Sequence, residues 1–339
     1  MKAMVLRAPL DLVLDDVARP GLRAGDVLVR MTHSGVCGTD LKIYNGAIPV
    51  SYPRIMGHEM VGEVVEGGED SDGFRPGDRV IIDPELYCGA CFHCRIGQTH
   101  LCPNGMLIGR DTDGGFAEYV AAPARHVFRL PDSIGSRAAP LIQVLTTCLH
   151  AQGQINISHG ESVVVFGLGV TGQLHVQLAK ARGASPVIGV TRSAEKRRLA
   201  ETLGADVTVP GGEAAIQQVR EATEGRGADV IIETTGVLPS LAAAISMARS
   251  GGRLLLFGII TAKEGALPFY DLYFKELALI NSRVAKSEDY PASIALVERG
   301  IVRLDPLVSN VMPLGELKTA IGMLSSDSGQ RMKIILEHP

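Results

Sequence analysis

The chain has 339 residues, a formal net charge of −4 and 46% hydrophobic residues. That length exceeds one ordinary core and suits two domains, and the charge supplies no basic field for nucleic acid or anionic lipid. No apolar run is long enough to span a bilayer. Tryptophan is absent and other aromatics are few, which removes the stacking platforms of a single-strand nucleic-acid binder.

The first residues, MKAMVLRAPLDLVLDDV, have no apolar signal core or small-residue cleavage site. They predict two short strands around a turn at Pro9 and a cytoplasmic protein. Short alternating segments follow at Val27–Met31, Met60–Glu66, Arg79–Ile82 and Glu118–Ala121, punctuated by Gly and Pro. This pattern predicts an all-β unit over the first ~145 residues. The character changes near Ile142, where a helical run Leu141–Gln152 leads to a continuous apolar strand, Glu161–Phe166. Strands Val187–Val190, Ala205–Val209, Asp229–Glu233, Arg253–Gly258 and Leu277–Ser282 then alternate with helices Ala194–Leu203, Glu213–Thr223 and Ser240–Ala248. Apolar strands separated by amphipathic helices predict a parallel, doubly wound sheet. The remainder from Glu288 is mixed and ends in a strand, Met332–Glu337.

Three constellations carry chemistry. Cys88, Cys91, Cys94 and Cys102 stand in CGACFHCRIGQTHLC. Four thiolates at this spacing suit a closed, tetrahedral structural zinc site; an iron–sulfur cluster and a set of unrelated reduced thiols are the rivals. His93 and His100 fall inside the loop and read as exposed residues, because four sulfurs already complete a shell. Next, Gly35-Val36-Cys37-Gly38-Thr39-Asp40 and Gly57-His58-Glu59 together suggest a second metal site, although a lone Cys is usually a small core residue. Finally, Gly167-Leu168-Gly169-Val170-Thr171-Gly172 follows a predicted strand and opens a helix, Gln173–Arg182, the context in which G-x-G-x-x-G binds a dinucleotide pyrophosphate. The next strand ends in Thr191-Arg192-Ser193, where an NAD enzyme usually carries an acid. Thr191 does not repel a 2′-phosphate, Arg192 and Ser193 can donate to it, and Lys196 or Arg197 adds charge one turn on. The expectation is NADP, with NAD also possible.

The motifs GVCGTD, GHEMVGEVVEGG and PGDRV, the four-Cys lobe and VVVFGLGVTG together resemble the zinc-dependent medium-chain alcohol dehydrogenases, nearest their sugar, polyol and threonine branch. The resemblance covers nearly the whole chain. It implies an α/β protein with a GroES-like catalytic domain over 1–148 and 285–339, a Rossmann domain over 149–284, and two zinc ions per chain. By position, Cys37 and His58 would be ligands of the catalytic zinc. Glu59 would be a third ligand or a neighbour exchanging with water. Asp40 would fix the tautomer of His58, and Thr39 would hydrogen-bond the substrate hydroxyl and begin a proton relay.

Two departures stand out. Gln143 occupies the fourth ligand position, which often holds Cys, Glu or Asp; by the resemblance it would bind the catalytic zinc through a neutral, weaker carbonyl oxygen, or else merely pack or hydrogen-bond a metal-bound water. Lys42 occupies a relay position where the family often has His, and serves the relay or stays solvated. Lys333 falls where relatives place a pyrophosphate-binding base, and Arg283 near the domain cleft. Tyr44, Ile48, Tyr52, Phe116 and Phe274 are candidate pocket residues. The resemblance implies a small-molecule alcohol or carbonyl substrate, of the polyol, sugar or cyclitol class. Simple secondary alcohols or threonine are the alternatives, as is a non-catalytic NADPH-binding relative. It also implies a homodimer or homotetramer without nucleic-acid or membrane partners.

Overall fold

The computed structural model describes residues 1–67, 70–71, 73–325 and 331–339. Gly68, the last residue of the second motif, lies outside them. The chain divides into two compact units. The first comprises Met1–Val144, Ala285–Arg299 and Leu304–Pro339; the second comprises Leu145–Val284 and Gly300–Arg303.

The first unit is built around the long strand Asp26–Val36. One sheet runs in the order Val127–Arg129, Arg79–Ile82, Glu59–Gly67, Asp26–Val36, Lys333–Glu337, Val308–Pro313, with Tyr119–Pro123 pairing on the central strand as well. Alternate residues such as Val27, Val29, Met31, Met60, Val64, Val80 and Val120 share one buried cluster, the period-two pattern of a half-buried sheet. Register then positions chemistry. Gly35 stands opposite Glu59, and Val36 opposite Ile334. The end of the central strand is thereby set against Glu59 on one side and the neighbour of Lys333 on the other.

This unit is not all-β. A helix, Gly38–Tyr44, follows the central strand directly. Its start is set by Asp40, whose carboxylate accepts the backbone N–H of Cys37 at 2.8 Å, an N-terminal cap that the β-rich surroundings obscured. Ile43 on its inner face joins Leu6, Phe116, Leu317, Ile321 and Ile334 in a second buried cluster.

The second unit carries a parallel sheet in the order Val207–Pro210, Val187–Thr191, Val163–Phe166, Ala228–Glu233, Ala248–Leu256, Ala278–Asn281. Both faces are covered: Val163, Val165, Val187, Val230 and Ile232 lie in one apolar cluster, and Val164, Ile188, Val190, Ile231 and Leu254 in another. This explains why the strands read as unbroken apolar runs. The helix Val170–Ala181 opens at the glycine loop. A further helix, Phe269–Phe274, was not anticipated. Its rings face solvent, so it lacks the apolar inner stripe by which helices are read from sequence.

Candidate functional site

The four cysteines converge. Their sulfurs all lie within 4.8 Å of one another. Separations of 3.6 Å (Cys88–Cys102), 3.8 Å (Cys91–Cys102) and 4.0 Å (Cys88–Cys94) bracket the ~3.8 Å edge of a tetrahedron with metal–sulfur bonds of ~2.3 Å. They far exceed a disulfide bond of ~2.05 Å. Backbone N–H groups help gather the sulfurs: Cys94 donates to the sulfur of Cys91 and Cys88 to that of Cys102, each at 3.5 Å. Backbone N–H groups of Ala90 and then Cys91 draw the Cys88 thiol down to about 6, whereas burial, followed by the Cys91 side chain, pushes Cys94 up to about 12. His93 contacts Gln98 through Nδ1 at 3.3 Å. The lobe therefore fits a soft, tetrahedral ion.

Cys37, His58 and Glu59 form the second group, again with one ligand atom each within 4.8 Å. His58 and Glu59 are buried and Cys37 is half-buried. His58 Nδ1 stands 3.5 Å from Asp40 Oδ1, an ion-pair distance and too long for a firm hydrogen bond. Burial alone would lower the imidazole's pKa, but the charge of Asp40 and then the Cys37 side chain outweigh it and push it well up. Burial would raise the Cys37 thiol, and His58 reverses this, leaving it below the ordinary value. Glu59 Oε1 accepts from Lys333 Nζ at 2.6 Å, while Glu59 Oε2 is buried without a hydrogen-bond partner. An orphaned carboxylate oxygen beside a thiol and an imidazole is a donor set that fits a divalent cation. The carboxylate also needs Gly35, because a methyl there would collide with Glu59 Oε2.

Lys333, expected near a pyrophosphate, is buried, with its ammonium on Glu59 and on the Val36 carbonyl at 3.3 Å. Burial would lower its pKa, but the charges of Glu59 and then Cys37 raise it. Sequence alone offered no sign of this pair, whose members are 274 residues apart. Thr39 and Lys42 are half-buried and one helical turn apart, so they share a face of the helix Gly38–Tyr44. Neither side chain has a hydrogen-bond partner among the described residues. Gln143 lies in the first turn of the helix Leu141–Ile155, half-buried, without a hydrogen bond to Cys37, His58 or Glu59. Of the pocket candidates, Phe116 is corrected: it is fully buried against Gly57, whose tight turn leaves the ring no open face there. Tyr44, Ile48 and Tyr52 pack around the same cluster. Phe274 lies in the second unit and is exposed.

In the second unit the glycine loop takes the expected place between strand and helix. A methyl on Gly172 would collide with the carbonyl of Gly167, and Gly167 itself has φ +95°. Leu168 turns its side chain into the core, while Gly169, Val170 and Thr171 are half-buried at the helix start. At the end of the next strand Thr191 stands in the place of an acid, and Arg192 is exposed. Ser193 caps the helix Ala194–Thr202, accepting from the Lys196 N–H and donating to Glu195. Arg197 donates to the carbonyls of Thr191 and Arg192 at 2.9 and 3.0 Å, which stiffens the turn. Arg283 is exposed just beyond the edge strand Ala278–Asn281.

Two family models match: the alcohol dehydrogenase GroES-like domain over residues 23–132 and the zinc-binding dehydrogenase over residues 170–299. An L-threonine 3-dehydrogenase of Pyrococcus abyssi is 37% identical over 308 residues, covering 88% of this chain and 87% of its own. A sorbitol dehydrogenase of Halalkalibacterium halodurans is 32% identical, with 91% of each chain covered. Among solved structures, one described as a zinc-binding dehydrogenase of Sinorhizobium meliloti bound to NADP superposes with a TM-score of 0.93 at 32% identity, covering 99% of this chain and 98% of its own. No helix among the described residues is long and apolar enough to cross a membrane.

Proposed function

The chain belongs to the zinc-type medium-chain alcohol dehydrogenases, enzymes acting on CH–OH donors, and on that premise we propose that it moves a hydride between a polyol, sugar or cyclitol and NADP. The observation that carries the reading is the trio Cys37, His58 and Glu59, the last two buried, with one carboxylate oxygen left unpartnered. Cys37 and His58 are the ligands of a catalytic zinc. Asp40 faces His58 Nδ1, which leaves Nε2 as the ligating nitrogen and makes it a better donor. Gln143, half-buried in the first turn of the helix Leu141–Ile155, would offer its neutral carbonyl oxygen as a further, weaker ligand. The four-cysteine lobe holds a second, structural zinc.

Zinc at such a site supplies Lewis acidity toward an alcohol oxygen, and the nicotinamide supplies the hydride acceptor. The chain's own residues do the rest. Thr39, next but one to Cys37 and with its hydroxyl unengaged, takes up the substrate's hydroxyl proton as it hands its own proton on toward solvent. Lys42, one turn along the same face, lines that path and donates its ammonium N–H to the solvent that carries the proton outward. Lys333 holds the buried charge of Glu59 in balance and so keeps the carboxylate in reach. In the second unit the loop Gly167–Gly172 turns backbone N–H groups and a helix N-terminus to the pyrophosphate. Arg192, and Ser193 once its hydroxyl turns from Glu195, read the 2′-phosphate, which no acid at Thr191 itself opposes.

The polyol class is favoured over threonine by Lys42, a departure from the histidine common in that branch; similarity does not separate the two, with a threonine dehydrogenase at 37% identity and a sorbitol dehydrogenase at 32%. The edge strand Ala278–Asn281 and the exposed rings of Phe269, Tyr270, Tyr273 and Phe274 support pairing with a second copy. Cofactor reduction by zinc-replete protein, with NADP and separately NAD, tests the reading across polyols, aldoses, cyclitols, simple secondary alcohols and threonine. Turnover of one polyhydroxylated class with NADP is expected. Equal rates with NAD remove the cofactor assignment, and turnover confined to threonine or a simple alcohol removes the substrate class.

A further inference from the structure

At the C-terminal end of the parallel sheet, where open α/β sheets bind their ligands, one carboxylate stands apart. Glu233 closes the strand Ala228–Glu233 and is fully buried. Among the described residues no lysine, arginine or histidine pairs with it; its partners are neutral donors from the turn that follows. Oε1 accepts the backbone N–H of Thr235 at 2.7 Å and, by a short hydrogen bond, the Thr235 hydroxyl. Oε2 accepts the N–H of Gly236 at 3.0 Å. A buried charge held without a cation is costly unless its hydrogen bonds are complete. The stable core of a sheet does not need one here.

The turn it folds touches the phosphate loop. The Thr234 N–H donates to the Phe166 carbonyl at 2.9 Å, and the Thr234 hydroxyl donates to the Gly167 carbonyl at 2.9 Å. That Gly167 carbonyl is the same oxygen a methyl on Gly172 would strike. From the other side, a methyl on Gly167 would stand 2.6 Å from the Thr234 hydroxyl and 2.7 Å from the Thr235 methyl. The first glycine of the loop is therefore seated on Thr234 and Thr235, and those residues are gathered by Glu233. A third turn joins them. The Glu233 carbonyl accepts from Phe257 and Gly258, and a methyl on Gly258 would come within 2.8 Å of Glu233 Oε2. Three strand ends thus converge on one carboxylate.

We propose that Glu233 and Thr234 are positioning residues for the dinucleotide: the carboxylate folds the 234–236 turn, and the Thr234 hydroxyl fixes the Gly167 carbonyl so that the loop's N–H groups face the pyrophosphate. This rests on the dinucleotide reading of the loop. Neither side chain need touch the cofactor. In Glu233→Gln the amide places an N–H against the N–H of Thr235 or Gly236, so the turn cannot keep all three bonds. Thr234→Val keeps the shape and removes the one hydroxyl; Thr234→Ser restores it.

The test is NADPH titration of the zinc-replete full chain, read by nicotinamide fluorescence, with thermal melting and zinc content alongside. Thr234→Val is expected to weaken NADPH binding about tenfold while melting within a few degrees of the parent, and Thr234→Ser to recover binding to within about threefold. Glu233→Gln should weaken binding at least as much. Because both act through one turn, the double variant should be no weaker than the worse single variant. Should Glu233→Gln fail to fold, the Val and Ser pair still decides. Parent-like NADPH binding by Thr234→Val overturns the inference, as does a Ser variant as weak as Val. A parent protein that binds neither NADPH nor NADH removes the dinucleotide reading and this inference with it; a parent that binds, with variants that match it, removes this inference alone.

Discussion

The four-cysteine lobe and the Cys37–His58–Glu59 pocket lie in the same compact unit, and each brings its ligand atoms within 4.8 Å. They are built in opposite ways. The lobe draws four identical ligands from fifteen consecutive residues, lies near the surface, and is organised by short-range backbone N–H···S bonds. The pocket draws three different ligand types from two segments, with His58 and Glu59 buried and Cys37 half-buried. It is framed by Asp40 on one side and by a lysine from the far end of the chain on the other. Four sulfurs around an ion leave no position for a substrate, whereas three ligands do. On the proposed function this difference assigns the lobe to folding and the pocket to chemistry, and each part of that contrast can be attacked separately.

The largest effect should come from the pocket. Cys37→Ser is expected to lower kcat/KM by roughly 10³-fold or more, about 4 kcal/mol of transition-state stabilisation. Its melting temperature should stay within a few degrees of the parent, as steady-state kinetics and calorimetry on one preparation will show. Cys91→Ser should do the reverse in kind: loss of one zinc per chain and a destabilisation of roughly 3 kcal/mol or more. Metal analysis and denaturant unfolding measure both. If Cys91→Ser keeps its stability while losing its ion, the lobe is not a folding element and the contrast collapses.

Lys333→Met sharpens the contrast within the pocket. Removing one member of a buried ion pair leaves an uncompensated charge and costs about 3 kcal/mol. In metal-free protein the whole penalty should appear, since Glu59 then has no cation. In zinc-loaded protein the penalty should shrink, because the ion takes over the charge of Glu59. Melting the two forms of the variant side by side reads the difference directly. Equal losses in both would mean that Glu59 stays away from the metal.

The same contrast explains what could be read in advance. The lobe was legible because its ligands are neighbours in sequence and their spacing alone brings the sulfurs together. The glycine loop was legible for the same reason: strand, turn and helix are consecutive, and the period of the apolar residues changes at the turn. The parallel sheet followed from its unbroken apolar strands. What escaped was long-range or locally disguised. The Lys333–Glu59 pair joins strands 274 residues apart through a register that no local pattern encodes. The helix Gly38–Tyr44 is only seven residues long, and its cap, Asp40, looked like part of a ligand motif. The exposed aromatic helix Phe269–Phe274 broke the amphipathic rule. Phe116 was placed in a pocket by its closeness to the motifs, but a turn at Gly57 folds over it.

The smallest expected effect concerns the strand that brings Lys333 to the pocket. His338 follows that strand, nearly buried, and burial pulls its imidazole down to about 3. The Ala117 carbonyl can only accept, so Nδ1 carries the proton and donates to it at 3.0 Å; Nε2 then accepts from the Ser34 hydroxyl at 2.8 Å. Protonation would turn Nε2 into a donor, so the Ser34 hydroxyl would have to turn its oxygen to it and lose its own acceptor, while a charge stays buried. The folded value lies below the ordinary 6.5, so the unfolded chain binds a proton first as pH falls. Stability is complete above about pH 6.5 and is lost progressively toward pH 3, with about 2 kcal/mol gone by pH 5. His175 in the second unit, buried and likewise drawn down to about 3, shares this sign. A His338→Asn variant should therefore show a shallower fall in unfolding free energy between pH 7 and pH 5. Ser34 and Lys333 flank the pocket, so the acid-sensitive loss should reach the pocket's metal before the lobe's. Zinc release from the parent at pH 5 should then be biphasic, with the pocket's ion leaving first, and the His338→Asn variant should delay that first phase. Simultaneous release of both ions would show that acid does not distinguish the two clusters.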